Sequence, residues 1–152
     1  MRIITGTARG RKLAALEGER VRPTPERVKE ALFSMIQFDL EDRRVLDLFA
    51  GSGQLGLEAI SRGARQAVFV DASRESVGVV EKNIAATGFS DRACVKNLDF
   101  ASFLARESGR FDIAFLDPPY RTGLLQRALP MTAAAMSPGG TIICEHPADE
   151  EL

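Results

Sequence analysis

Short apolar runs alternate with segments of helical spacing along most of the chain. Val45–Phe49, Ala67–Asp71, Ala93–Lys96, Phe111–Leu116 and Thr141–Cys144 are compact and apolar, suited to strands buried on both faces of a sheet. Between them, residues 54–62, 74–87, 100–107 and 122–136 carry apolar positions at helical spacing. Strand and helix alternating in this way predict an α/β domain, with a mostly parallel sheet, right-handed crossovers and helices on both faces. The start of the chain differs. Arg2–Thr5 and Arg11–Ala14 are β-like runs around Gly6 and Gly10, which predicts a glycine-punctuated hairpin. Arg22-Pro23-Thr24-Pro25 is a stiff, extended entry to a helix, with Thr24 as its expected cap and Pro25 at its first position. Val28, Ala31, Leu32, Met35 and Ile36 then predict the buried stripe of that helix. The organisation is thus one domain over 1–152, with an N-terminal extension over 1–40 and an α/β core over 43–147.

Composition agrees with a soluble globular domain: 45% of residues are hydrophobic and 27% charged. No apolar run approaches the roughly 20 residues that span a bilayer, and MRIITGTARGRKL lacks the apolar stretch of a secretion signal. Cys94 and Cys144 lie far apart in apolar surroundings and read as buried free thiols of a reducing compartment, so the cytoplasm is the expected location. The net charge of −1 conceals an asymmetry. Residues 1–29 hold eight basic side chains against three acidic ones, a local charge of +5, while the remainder carries −6. That distribution points to a polyanion held by the N-terminal arm; the bland alternative is a solvated basic face.

Chemistry enters at two strand ends. The first strand runs into Asp47-Leu48-Phe49-Ala50-Gly51-Ser52-Gly53-Gln54-Leu55-Gly56, and a helix follows. Gly51, Gly53 and Gly56 satisfy G-x-G-x-x-G, and Asp71 ends the second strand 20 residues after Gly51. This is the form of a dinucleotide fingerprint. Asp47, however, places a carboxylate just before the glycines, where it would repel a pyrophosphate but suit a ligand with a sulfonium and an ammonium. The second strand end is Asp117-Pro118-Pro119-Tyr120. Neither proline can continue a strand ladder, and together they fix a rigid array of backbone acceptors beside Asp117 and an aromatic face at Tyr120. Such acceptors suit an exocyclic base amine, whose N–H groups they would hold while positive charge develops on nitrogen. Tyr120 could stack on a base taken out of its helix or loop. A plain turn is the alternative reading of either motif alone. No metal-ligand pattern is present.

The Asp-x-Phe-x-Gly-x-Gly turn resembles motif I of S-adenosylmethionine-dependent methyltransferases, and its pairing with Asp-Pro-Pro-Tyr resembles the amino-methyltransferases acting on adenine N6, cytosine N4 or guanine N2. Met1–Leu13, Arg22–Ile36 and Asp47–Gly63 together closely resemble the RsmD family, and the likeness extends to Glu145-His146-Pro147. The resemblance implies a Rossmann-like class I methyltransferase that methylates guanine N2 of 16S ribosomal RNA, with small-subunit particles as the expected setting, and leaves S-adenosylhomocysteine as product. It implies cofactor contacts from Arg22, Thr24, Asp47, Phe49, Gly51, Ser52, Gly53, Asp71, Asp99 and Phe100. Of these, Asp71 would take the ribose hydroxyls and Asp99 the adenine amine; Asp99 also reads as a helix cap. Asp117 and the Pro118 carbonyl would orient the target amine, with Pro119 and Tyr120 completing the catalytic motif, and Arg9, Arg11 and Lys12 would meet the RNA backbone. His146, the one histidine, fits no catalytic task. The family fold implies two further strands, an antiparallel pair, which the residues up to Leu152 do not supply, so an exposed sheet edge is expected. The alternatives are N6-adenine methylation of DNA or RNA, an NAD(P)-binding oxidoreductase, and a non-catalytic RNA-binding module.

Overall fold

Apolar side chains that alternate across a strand must be covered on both faces, and here five parallel strands are sandwiched in this way between helices. A computed structural model describes residues 1–16, 24–107, 110–119 and 122–145. In chain order the elements are α1 (Glu26–Ile36), β1 (Arg44–Leu48), α2 (Gln54–Ser61), β2 (Gln66–Val70), α3 (Arg74–Thr87), β3 (Ala93–Lys96), α4 (Phe100–Leu104), β4 (Phe111–Leu116), α5 (Leu124–Ala134) and β5 (Met136–Cys144). The sheet order is β3-β2-β1-β4-β5, with every neighbouring pair parallel. Val45, Ala67, Phe69, Ile113 and Phe115 pack with Phe33, Leu57 and Ile60 on one face. Their strand neighbours Leu46, Leu48, Val68, Val70, Ala114 and Leu116 pack with Phe103 and Leu125 on the other.

All five expected strands form, but not all are buried as expected. β1, β2 and β4 are largely buried, whereas β3 is half-buried and the middle of β5 is exposed. Both are edge strands of the described sheet, so each has a strand neighbour on one side only. β5 also begins earlier than its apolar run, at Met136, with a register irregularity between Phe111 and Ile113. That early start ends the preceding helix at Ala134 rather than 136. Cys94 and Cys144 are free, as expected, but half-buried rather than buried.

The largest departure is α1. Its buried residues are Lys29, Phe33 and Ile36, while Val28 is 37% and Met35 82% exposed; Ala31 is exposed too, and Leu32 half-buried. The helix is turned away from its most obvious apolar stripe because Lys29, 1% exposed, has a buried partner in Glu58 of α2, which is 0% exposed. Lys29 Nζ lies 3.2 Å from Glu58 Oε1 and donates to the Arg2 carbonyl at 3.0 Å. Thr24 does not cap α1, which starts after Pro25 without a side-chain cap.

The N-terminal hairpin forms as predicted. The Ile3 amide donates to the Arg11 carbonyl and the Leu13 amide to that of Met1, both at 2.9 Å. Glu58 holds it down by accepting from the amides of Ile4 at 2.8 Å and Thr5 at 3.1 Å. The Thr7 amide donates to the Ser61 carbonyl at 2.8 Å, and the Ala8 amide to Ser61 Oγ at 3.0 Å. Gly6 makes this seating possible: its φ is +95°, and a Cβ there would lie 1.8 Å from the Ser61 carbonyl oxygen. Gly6→Ala is therefore expected to lift the hairpin off α2 and lower the unfolding free energy by at least about 1 kcal/mol, measured by urea denaturation. A wild-type midpoint would show that the contact does not matter.

Candidate functional site

In a parallel sheet all strand carboxyl ends meet one edge, and the crevice lies where the chain reverses its direction of travel, here between β1 and β4. The two motifs singled out by sequence meet at this point. Asp47 lies on β1 beside Phe115 of β4, and Asp117 follows β4 directly.

After β1 the chain turns through Phe49 at φ +62°, Gly51 at +60° and Gly53 at +82°. Gly53 is the left-handed residue before α2. Gly56, inside α2, has another role: an added Cβ would come 2.3 Å from the Phe69 ring, so this glycine lets α2 lie close on β2. Asp47 is almost fully buried, and its Oδ2 accepts from the Gly56 amide at 3.0 Å. Burial pushes its carboxyl well above the usual range; the Gly56 bond opposes this, and the charges of Asp117 and Asp71 add to it.

Asp71 braces the turn. Its Oδ2 accepts from the Gly51 amide and its Oδ1 from the Ser73 amide, each at 2.9 Å. Both oxygens retain a second lone pair for ligand hydroxyls. Asn97 Nδ2 ties the third strand end to the second through the Asp71 carbonyl at 3.0 Å. Asp99 caps α4, accepting from the Ser102 amide at 3.0 Å and the Ser102 hydroxyl at 2.6 Å; these bonds hold its carboxyl below the ordinary value. The capping reading is thus seen directly. Behind it the Phe49 and Phe100 rings lie 5.5 Å apart. Buried Ser52 is fixed through its carbonyl, which accepts from Asn83 Nδ2 at 2.9 Å. The same side chain accepts from the Ala14 amide at 2.7 Å, fastening the N-terminal arm to the glycine turn.

Pro118 is buried and Pro119 exposed, and the Pro119 carbonyl accepts from Thr122 Oγ1 at 2.9 Å. Thr24 Oγ1 donates to Asp117 Oδ2 at 3.4 Å, which is what the expected helix cap does instead. Asp117 shares a small recess with Glu145, which follows β5. Burial first, and then the Glu145 carboxyl, raise Asp117 to about 7, with Thr24 opposing. Arg22 and Tyr120, expected at this site, and His146 lie outside the described residues. Arg9, Arg11 and Lys12 are exposed on the hairpin. Lys12, with Arg2, Thr24 and Gln54, lines an open cleft of about 550 Å³, and Thr24 is the lining residue that bonds to Asp117.

Sequence reasoning missed Glu145, Asn83, Asn97 and the Lys29–Glu58 pair. For Glu145 a signal existed: it stands just past an apolar strand, as Asp71 and Asp117 do. No group of His, Cys, Asp and Glu suited to a metal occurs among the described residues. Nor is any helix among them long and apolar enough to cross a membrane.

The donor set suits a cationic, hydroxyl-rich ligand. Carboxyl groups gather at the ends of β1, β2 and β4, and positive-φ glycines clear the turn between them. An anionic pyrophosphate would meet repulsion wherever these carboxyls are ionised.

Comparison with known proteins agrees with this arrangement. The family described as Conserved hypothetical protein 95 matches residues 1–152. "Ribosomal RNA small subunit methyltransferase D" of Escherichia coli (strain K12) is 43% identical over 129 residues, which span 85% of this chain and 65% of that protein. The Haemophilus influenzae protein of the same name is 36% identical over 157 residues, 100% of this chain and 81% of that one. A solved hypothetical protein from Thermus thermophilus superposes with a TM-score of 0.85 at 34% identity, covering 100% of this chain and 89% of that chain.

Proposed function

This chain belongs to the RsmD family, the group described as Conserved hypothetical protein 95, and we propose that it transfers a methyl group from S-adenosylmethionine to guanine N2 of 16S ribosomal RNA in the cytoplasm. The observation that carries the reading is the meeting of the Asp47–Gly53 turn and Asp117-Pro118-Pro119 at the β1–β4 crevice of a Rossmann-like methyltransferase fold. The relatives' names support ribosomal RNA as substrate; the choice of guanine N2, and of a small-subunit particle rather than naked RNA, is ours.

S-adenosylmethionine, when bound, supplies a methyl group on a positively charged sulfur. Asp71 would accept from its ribose hydroxyls, Asp99 from its adenine amine beside Phe100, and Asp47 would serve its ammonium, with Phe49, Gly51, Ser52 and Gly53 lining the site. Arg22 and Thr24 would complete the cofactor contacts that the family resemblance implies. Asp117 and the Pro118 carbonyl accept from the two N–H groups of the target amine, favouring a pyramidal nitrogen with an available lone pair. Tyr120 stacks on the base, and Arg9, Arg11 and Lys12 hold phosphates, so binding should weaken with salt. Holding amine and donor in line supplies much of the acceleration.

The test is transfer of tritiated methyl to naked 16S RNA, small-subunit particles and duplex DNA, followed by nucleoside analysis. N2-methylguanosine from the RNA substrates is expected; N6-methyladenine would refute the substrate. Titration calorimetry is expected to show binding of S-adenosylhomocysteine and not NAD, and the reverse would sink the reading altogether.

A further inference from the structure

We propose that Glu145 is a positioning residue for the Asp117 carboxyl group, forming with it a two-carboxyl pair that takes up the proton released by the methylated amine; this rests on the amino-methyltransferase reading above. Three features of the fold make the pair. Parallel register sets Leu116 beside Cys144, so the residues that follow each strand, Asp117 and Glu145, emerge side by side. The Glu145 amide donates to the Leu116 carbonyl at 3.1 Å, fixing the backbone from which its carboxyl reaches Asp117. Both residues line one small recess, and the Glu145 carboxyl there pushes the Asp117 carboxyl up, by its charge and as a hydrogen-bonding neighbour. Leu32, Leu55, Phe115 and Ile143 wall that recess, giving the two carboxyl groups apolar surroundings.

The charged neighbours are accounted for among the described residues. Asp47 faces Asp117 from β1, Glu145 from the end of β5, and from ahead of α1 the Thr24 hydroxyl donates to Oδ2. Of these, burial aside, Glu145 raises the Asp117 carboxyl and Thr24 opposes it. A carboxylate so placed is a better proton acceptor than an exposed aspartate.

In the transfer step the amine nitrogen gives its lone pair to the methyl carbon, while the carbon–sulfur pair stays with sulfur. That nitrogen then carries one proton and one positive charge too many. The proton passes to Asp117 while the N–H electron pair returns to nitrogen. The acid so formed shares its proton with Glu145 until solvent removes it. When the pair already holds a proton, Asp117 is a poorer acceptor for both the amine and its proton, so transfer should fail on the acid side of neutrality.

The experiment is a carbon-detected NMR titration of the full chain labelled at its side-chain carboxyls, with Asp117 assigned from Asp117→Asn. In the wild type Asp117 should titrate near 7. Glu145→Gln should move the Asp117 midpoint down by roughly one pH unit or more, and Thr24→Val should move it up. Single-turnover methyl transfer should show an acid limb that moves in the same directions. A purely structural role for Glu145 would alter rate or stability without moving the midpoint. An unchanged Asp117 midpoint in Glu145→Gln overturns the pair, even if methyl transfer proceeds. A shifted midpoint in a protein that methylates no nucleic acid supports the pair and overturns the methyltransferase reading instead.

Discussion

Glu58→Ala is expected to lower the unfolding free energy by about 3–5 kcal/mol, because it leaves a buried lysine without its anion. Glu58 is fully buried, takes Arg62 Nε at 2.9 Å and Lys29 Nζ at 3.2 Å, and accepts from the Ile4 and Thr5 amides. Burial already lowers Lys29 from its ordinary value of 10.5, and Glu58 is the main influence opposing that. Without Glu58 the folded chain would bind fewer protons at Lys29 than the unfolded chain. Stability of the variant should therefore rise with pH between the depressed value and 10.5, where the wild type changes less. Lys29→Met combined with Glu58→Leu should cost less than the sum of the single changes, since it leaves no buried lysine without its anion, although Arg62 still loses its partner. Urea titrations of the four proteins at two pH values measure all of this. A loss in Glu58→Ala below about 1 kcal/mol would mean that water reaches Lys29 freely. RNA affinity should fall with the same variant, because the hairpin carrying Arg9, Arg11 and Lys12 is fastened through Glu58.

That pair also marks where reading from sequence stops. The strands were legible because β1, β2 and β4 are short apolar runs, with Arg44 and Gln66 only at their starts and Asp47 and Asp112 the polar residues within them. The glycine turn and Asp-Pro-Pro were legible because glycine permits, and proline fixes, backbone angles that end a strand. The face of α1 was not. Hydropathy assigns a lysine to solvent, so the apolar positions Val28, Ala31 and Met35 looked buried, whereas a buried glutamate 29 residues further along turns Lys29 and Phe33 inward. Thr24 had the right residue type and position for a cap, yet its hydroxyl serves Asp117, 93 residues away. Glu145 follows the same rule as Asp71, an acid just past a strand. Only the sheet order, which puts β5 beside β4, reveals that its neighbour is Asp117. In each case the missing information is a pairing between distant polar groups, which periodicity does not encode.

Asp117→Ala should reduce methyl transfer by roughly a hundred- to a thousandfold, the scale on which a preorganised group facing developing charge acts. Affinity for S-adenosylhomocysteine should change little, since Asp117 faces the amine. Asp117→Asn separates two contributions. Its amide oxygen still accepts one N–H bond, so its loss should be smaller than that of alanine, but it takes up no proton, and the acid limb near pH 7 should vanish. The stability signature runs the opposite way. A carboxyl raised from 3.8 to about 7 holds more protons folded than unfolded, so its contribution is fully present below 3.8 and is lost as pH rises through 7. Asparagine, which does not titrate, should remove that decline, and Asp117→Asn should unfold at a higher urea concentration than the wild type at about pH 8 while being much less active. If activity and stability both fell there, Asp117 would be a structural carboxylate. If activity alone falls, its buried place beside Glu145 is maintained for chemistry at the expense of the fold.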